Sequence, residues 1–177
     1  MKAEMYSLET PWPGHLMIMP RPRGNDWLHE EVRDWRSAGI DLVVSTLTTD
    51  EIAELGLVNE AESCGNNGIE YVAFPIPDRG VPFSMRATAE LLSRLASALS
   101  EGKNVAIHCR QGVGRSALLA ACLLVLAGAD ANEAIQRVGA ARGCCVPETI
   151  EQQEWVAKFS HEASSVASRT SSTSMRN

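Results

Sequence analysis

The stretch NVAIHCRQGVGRS (residues 104–116) runs directly into ALLAACLLVLAG (117–128). NVAIHC is a short apolar, β-rich run of the kind that forms a buried strand, and the segment from Ser116 onward is apolar on every side, as a buried helix is. The apolar run Ala117–Ala129 is too short to cross a bilayer. A strand, a tight glycine-bearing loop and a helix N-terminus together make an anion site. The loop amides point inward, and the helix dipole contributes about half a positive charge. Gly112 and Gly114 permit backbone angles and close approaches that a side chain forbids. Arg115, six residues after Cys109, can return to the mouth of the loop and grip two phosphate oxygens with its planar fork.

Cys109 then lies at the floor of a positive bowl. Helix N-termini and nearby cations lower a thiol pKa from about 8.5 to roughly 3.5–7.5, so a thiolate at neutral pH is expected. Under a tetrahedral phosphate it is placed for in-line attack on phosphorus, giving a cysteinyl-phosphate. The amides of Arg110, Gln111, Gly112, Val113, Gly114 and Arg115 would cradle the phosphoryl oxygens, and the Ser116 hydroxyl would stabilise sulfur as it leaves. His108 precedes the nucleophile on the strand and is expected to orient the loop rather than carry protons. The bland alternative makes Cys109 a small buried hydrophobe, a reading that weakens beside Gly112, Gly114, Arg115 and Ser116. GVGRSA also fits a dinucleotide loop, but the acidic ribose ligand that such a loop needs about twenty residues on is missing, since Glu133 and Arg137 read as solvated helix positions. No Gly-Lys-Ser/Thr occurs, which excludes a Walker-type loop.

Outward from the loop, strands and helices alternate. Strands are expected over 15–19, 40–46 and 69–76. Helices are expected over Trp27–Ser37, capped by Asn25 or Asp26, from Thr48 to a stop at Gly56, and over Ser84–Ser100, Ala131–Arg142 and Glu148–Ser160. This order predicts a single α/β domain with a central, parallel-rich sheet flanked by helices. The domain is expected over residues 1–160, its folded part from about residue 10. His161–Asn177 is close to half Ser and Thr, and on composition it is expected to be a disordered tail.

Cleavage by a thiolate also needs a proton for the departing oxygen. FPIPDRGVP supplies Asp78 just past a strand, in a loop flanked by Pro75, Pro77 and Pro82, where it could act first as acid and then as base. Asp130 reads as a helix cap, and Glu148 as a first-turn carboxylate favoured at any helix start.

Sixteen Lys plus Arg against twenty-two Asp plus Glu give a net charge of −6, which argues against a nucleic-acid binder. MKAEMYSLETPWPG has no apolar h-region, so no secretory signal is expected, nor any membrane insertion. Five scattered cysteines fit free thiols in a reducing cytoplasm. His15, His29 and His161 show no metal-ligand spacing, and no metal or other cofactor is expected.

The pattern His-Cys, five residues, Arg-Ser is the signature loop of cysteine-dependent protein phosphatases, and residues from about 38 to 160 resemble their small dual-specificity branch, especially kinase-associated-phosphatase-like members. The matching landmarks are GIDLVVST, FPIPDRGVP, a long helix, the signature loop and ETIEQQEWV. The chain is also similar to bacterial members of this branch that open with a like Pro-Arg-Pro-Arg stretch. The resemblance implies a cysteine-phosphatase fold and metal-independent hydrolysis of phosphomonoesters, in particular phosphotyrosine and phosphoserine or phosphothreonine in proteins. It makes Cys109 the nucleophile, Arg115 the phosphate clamp, Asp78 the acid and later the base, and Ser116 the leaving-group assistant. The large tyrosine-specific members carry a water-positioning glutamine that would fall at Glu148. Here only Gln152 keeps a family-like glutamine, so water activation is expected to rest mainly on Asp78. A phosphotyrosine-stacking loop is also missing.

Accessory substrate contacts are sought at Arg21, Arg23, Arg79 and Arg110. An inositol-polyphosphate or phosphoinositide substrate is the alternative, weakened because RQGVG contains no lysine. A binding-only pseudophosphatase is weakened further by intact Cys109, Arg115 and Asp78. Cys144–Cys145 invites a redox role, but such a pair is expected to end a helix and pack. Trp27, Trp35, Trp155 and Phe159 are expected to pack on helix faces.

Overall fold

The computed structural model describes residues 4–174. Five strands form one sheet in the order β1(Tyr6–Leu8), β2(Leu16–Pro20), β5(Val105–Cys109), β3(Leu42–Ser45), β4(Glu70–Ala73). Only β1 is antiparallel to its neighbour, and the other pairings are parallel. The sheet is thus as expected, with one added edge strand. β1 precedes the predicted start of the fold, and three residues are too short a run for alternation to register.

β5 is the centre of the sheet. It pairs with β2 from Leu16↔Val105 to Pro20↔Cys109 and with β3 from Leu42↔Val105 to Ser45↔His108. All five of its residues are buried, as a central parallel strand covered on both faces requires. Val105 and Ile107 face the larger core, built by α4(Met85–Ser100), α5(Arg115–Leu126), α6(Ala131–Arg142) and α7(Ile150–Ser174). Ala106 faces the second core, which gathers Leu28, Val32 and Trp35 of α1(Leu28–Ser37) with Cys64 of α3(Glu60–Asn66). The i, i+4, i+7 spacing of Leu28, Val32 and Trp35 is what turns one stripe of α1 to the sheet. α5 has no polar face after Ser116 and is buried from Arg115 through Val125.

Thr48 and Glu51 form the predicted reciprocal capping box at α2(Thr49–Glu54), and Asp130 caps α6 as expected by accepting from the Glu133 amide, while Ser84, expected inside its helix, caps α4 by accepting from the Ala87 amide. Asn25 and Asp26 instead form a 3-10 turn, Asn25–Trp27, that leads into α1. α3 was not foreseen from sequence, because its EAESCGN has little apolar periodicity.

Three further expectations are corrected. The segment from His161, expected to be disordered, continues α7 to Ser174; no Gly or Pro interrupts 150–174, and Ser164 and Ser165 bond back to the Ser160 and His161 carbonyls. Met175–Asn177 lie outside the described residues. Cys144 and Cys145 are exposed rather than packed, because Gly143, in the left-handed region at φ 76°, has already turned the chain out of α6. Trp27 is exposed too, since the 3-10 turn rotates it off the apolar stripe, and the Arg23 guanidinium lies 4.6 Å from its ring centroid. Trp35 and Phe159 are buried and Trp155 stacks on Phe159, as expected.

Candidate active site

The C-terminal ends of β5 and β3 meet the start of α5 at one edge of the sheet, where open parallel sheets bind ligands. Residues 109–116 wrap there around the Cys109 sulfur. The Gly112 amide donates to Sγ at 3.1 Å, and the Ser116 hydroxyl lies 3.3 Å from it. Gly112 has φ +70°, and a Cβ there would stand 2.8 Å from the Met19 carbonyl carbon, so this position takes glycine for two independent reasons. Arg142, at the end of α6, donates from Nε to the Gly112 carbonyl at 3.1 Å and from a terminal nitrogen to the Gln111 carbonyl at 3.4 Å, which holds the loop from outside.

Burial opposes ionisation of Cys109. The Ser116 hydroxyl and amide, the Gln111 amide and the Arg115 charge outweigh it, and the thiol pKa is lowered. The other buried thiols go the opposite way. Burial, with the Glu60 charge, pushes Cys64 up to about 12, and burial alone pushes Cys122 up. Position at the loop, rather than burial, is what sets Cys109 apart from the other buried thiols.

Arg115 is only 2% exposed. Its guanidinium donates to both Glu51 oxygens at 2.6 and 2.9 Å, to the Ile76 carbonyl at 3.0 Å and to Asp78 Oδ1 at 3.0 Å. Desolvation works against its charge, but Glu51, the thiol of Cys109 and Asp78 outweigh it and keep the side chain cationic. Asp78, half exposed on the loop after β4, therefore reaches the site through the same arginine that would hold the phosphate.

Asp78, Arg79, Cys109, Arg110, Gln111, Val113, Arg115 and Glu148 line one pocket of about 140 Å³. The structure thus brings the expected nucleophile, clamp and acid together. Glu148 is the surprise. It lies ahead of α7 rather than in its first turn, and it reaches the pocket wall. Gln152 is buried behind the loop, where it donates to the Gly80 carbonyl at 2.9 Å and accepts from the Thr149 amide at 3.3 Å. Arg79, at φ 58°, points over the pocket, with Glu148 3.7 Å away. Arg110 lines the pocket and pairs with Glu54 at 2.5 Å.

Arg21 and Arg23 do not line the pocket. Arg21 donates to the Pro22 carbonyl, and Arg23 is paired with Glu31. His108 turns its ring away from the pocket into the second core. Its Nε2 lies 2.8 Å from Glu60 Oε1 without the alignment of a hydrogen bond. Its carbonyl accepts from the Thr46 amide and hydroxyl, tying the end of β5 to β3. Among the described residues, no cluster of three His, Cys, Asp or Glu side chains is placed to hold a metal ion, and no helix is long and apolar enough to cross a membrane.

Residues 7–173 match the family described as PTP-SAK, Swiss Army Knife protein, DSP-PTPase phosphatase domain. The chain belongs to this family. Cyclin-dependent kinase inhibitor 3 of Rattus norvegicus is 30% identical to it over 134 residues, which cover 75% of this chain and 63% of that protein. Protein tyrosine phosphatase domain-containing protein 1 of Bos taurus is 35% identical over 104 residues, 54% of this chain and 13% of that protein. The chain therefore spans less than two thirds of the length of these relatives. Among solved structures, kinase associated phosphatase with its catalytic-site cysteine replaced by serine superposes with a TM-score of 0.85 at 23% identity, covering 92% of this chain and 96% of that one, a likeness of fold. Tk-PTP in the active form gives a TM-score of 0.73 at 26% identity, over 88% and 97% of the two chains. The small dual-specificity resemblance and the α/β fold read from the sequence both hold.

Proposed function

We propose that this domain hydrolyses phosphomonoesters, with phosphorylated tyrosine or serine/threonine in proteins as its substrates, through a cysteinyl-phosphate on Cys109. The observation that carries this reading is the convergence of an activated thiol, the Arg115 guanidinium and the Asp78 carboxyl on one small pocket. The phosphate sits in the loop, its oxygens on the amides of residues 110–115 and on Arg115. Cys109 Sγ attacks phosphorus in line, the ester P–O bond breaks, and Asp78 gives its proton to the departing oxygen. Water then cleaves the P–S bond, the electron pair returns to Sγ, and Ser116 donates to the returning thiolate. Arg79 and Arg110, at the rim, are the side chains that would meet acidic residues flanking the phosphorylated one. No cofactor takes part in this scheme. Five free thiols suit a reducing compartment, so we place the domain in the cytoplasm.

The test is hydrolysis of an aryl phosphate in excess chelator. Wild-type protein is expected to turn over while Cys109→Ser is silent and equally folded. Turnover that persists in Cys109→Ser, or is absent in reduced wild type, would refute the reading. Phosphopeptides compared with inositol phosphates then define the substrate class.

A further inference from the structure

A second opening, of about 600 Å³, lies on the other side of α2, between the turn that leads into α1 and helix α3. Backbone contacts hold its walls. The Asn25 amide donates to the Gly56 carbonyl at 2.9 Å. A Cβ on Gly24 would stand 1.9 Å from the Leu55 carbonyl oxygen, so the turn is pressed onto the end of α2. Asn25 itself sits in the left-handed region at φ 53°, which asparagine tolerates better than most residues.

The lining is rich in acceptors and poor in cations. Asp26 and Glu62 bring two negative charges, no Lys or Arg side chain lines the groove, and Arg23, near in sequence, is paired with Glu31. Among the described residues, the two carboxylates and the side-chain amides of Asn59 and Asn66 have no hydrogen bond or ion pair. Ser63, 8% exposed and part of the same lining, has an Oγ without a partner. A buried hydroxyl left unpaired costs free energy, which an arriving N–H donor recovers. Val58, 69% exposed, gives an apolar surface along which an aliphatic stem can lie. Carboxylates for a charged head, free acceptors around them and an apolar wall for the stem are the complement of a Lys or Arg side chain. The active pocket is the opposite case, since each of its arginines already has a carboxylate.

Resting on the phosphatase reading above, we infer that this groove receives a Lys or Arg side chain of the phosphorylated protein while the phosphate lies in the loop. α2 is the wall between the two sites. Its Glu51 and Glu54 reach Arg115 and Arg110 of the active pocket, and its Ala53 lines the groove. A helix with its side chains is about 10–12 Å across, and an extended chain advances about 3.3 Å per residue. The cation therefore belongs about three to five residues from the phosphorylated one. Acidic residues beside the phosphorylated residue still meet Arg79 and Arg110, so the recognised pattern is negative near the phosphate and positive farther along.

The test is steady-state kinetics of the full chain on an aryl phosphate and on peptides phosphorylated on tyrosine or threonine. The peptides carry Arg, Ala or Glu at three, four or five residues to either side. In wild type, Arg at one of these spacings is expected to raise kcat/KM roughly three- to tenfold over Ala, through KM, with kcat unchanged. Asp26→Asn with Glu62→Gln should remove that preference and leave the aryl phosphate within about twofold of wild type. Glu62→Lys, on the exposed side of α3, should turn the preference toward the Glu peptide. Glu9→Gln with Glu101→Gln, which removes two exposed charges outside the groove, should keep the preference for Arg and so separates docking from the overall charge of −6. The inference is overturned if wild type shows no Arg preference at any spacing, or if the preference survives in the Asp26/Glu62 variant. It is equally overturned if the Glu9/Glu101 variant loses as much, or if the aryl phosphate is turned over and no peptide is. Absence of Cys109-dependent turnover of the aryl phosphate would instead overturn the phosphatase reading itself.

Discussion

Glu51→Gln isolates what holds the phosphate clamp in place. The pair is buried, Arg115 at 2% exposure and the Glu51 side chain at 9%, and the two bonds are bidentate. Glutamine keeps the size of the side chain and can still serve the capping box at Thr48, so the helix start is spared. What is lost is the countercharge to a buried guanidinium. Breaking a buried pair by removing one partner costs about 3–5 kcal/mol. Asp78 and the Ile76 carbonyl still hold Arg115, so the lower end of that range, about 3 kcal/mol, is expected. At about 2–4 °C per kcal/mol for a chain of this size, Tm should fall by roughly 6–12 °C. With Glu51 gone, the guanidinium swings toward Asp78, and kcat/KM for an aryl phosphate should fall about 10–100-fold from misplacement of the clamp. Acid should mimic part of the loss. Burial alone would raise the Glu51 pKa, but Arg115 and Thr48 overcome it and the folded-state value is lowered. The stabilisation is therefore present above the ordinary glutamate pKa and is lost as pH falls from there through the lowered folded value. Thermal melts and initial rates from pH 7 to pH 3 measure both effects. A Glu51→Gln protein with wild-type Tm and kcat/KM would refute the claim that Glu51 seats the arginine.

Two substitutions test the loop itself. Ser116→Ala removes a hydroxyl 3.3 Å from Cys109 Sγ, and hydrogen bonds to charged groups are worth about 1.5–3 kcal/mol. Alkylation of Cys109 by iodoacetamide should then require higher pH, and kcat should drop about tenfold, the equivalent of 1.4 kcal/mol; an unmoved alkylation profile would remove Ser116 from its role. Gly112→Ala places a Cβ 2.8 Å from the Met19 carbonyl carbon at φ +70°, adding about 1–3 kcal/mol of backbone strain. Turnover should fall about 100-fold or more as the Gly112 amide leaves Sγ, and near-wild-type activity would show that the loop tolerates a shift.

The fold was legible because its central unit announces itself. An apolar β run, a glycine loop and an all-round apolar helix admit few arrangements, and the same residues carry Cys109 and Arg115. Asp78 could be read because prolines on both sides mark a loop at the end of a strand. The partners of these residues were harder to see. Glu51 looked complete as a cap, since nothing in a Thr-x-x-Glu spacing tells that both oxygens will also hold an arginine 64 residues away. Glu148 looked like a first-turn acid, and only the observed helix start, at Ile150, frees it to face the pocket. Glu60 belongs to a helix that sequence periodicity did not register. Arg142, by contrast, was placed at the end of a predicted helix, but its reach to two loop carbonyls depends on how α6 packs on α5. These are all long-range pairings, and local pattern is silent about them.

The charges around the pocket bear on how a phosphate would be held under the proposed function. Arg79, Arg110 and Arg115 are each paired, with Glu148, Glu54, and Glu51 together with Asp78. Four carboxylates thus face three guanidiniums, and a Cys109 thiolate adds a further negative charge. Side-chain charge alone would not draw a dianion into this pocket. The attraction falls to the loop amides and the N-terminus of α5, which are directional and fixed, and to Arg115 as a positioned fork rather than a surplus of positive charge. A phosphate entering the loop must also compete with Asp78 for the Arg115 nitrogen that the two share. Binding would then loosen the acid from the clamp at the moment its proton is needed at the leaving oxygen. Under the proposed function, one arginine, seated by Glu51 and touching Asp78, would couple occupancy of the loop to the position of the proposed acid.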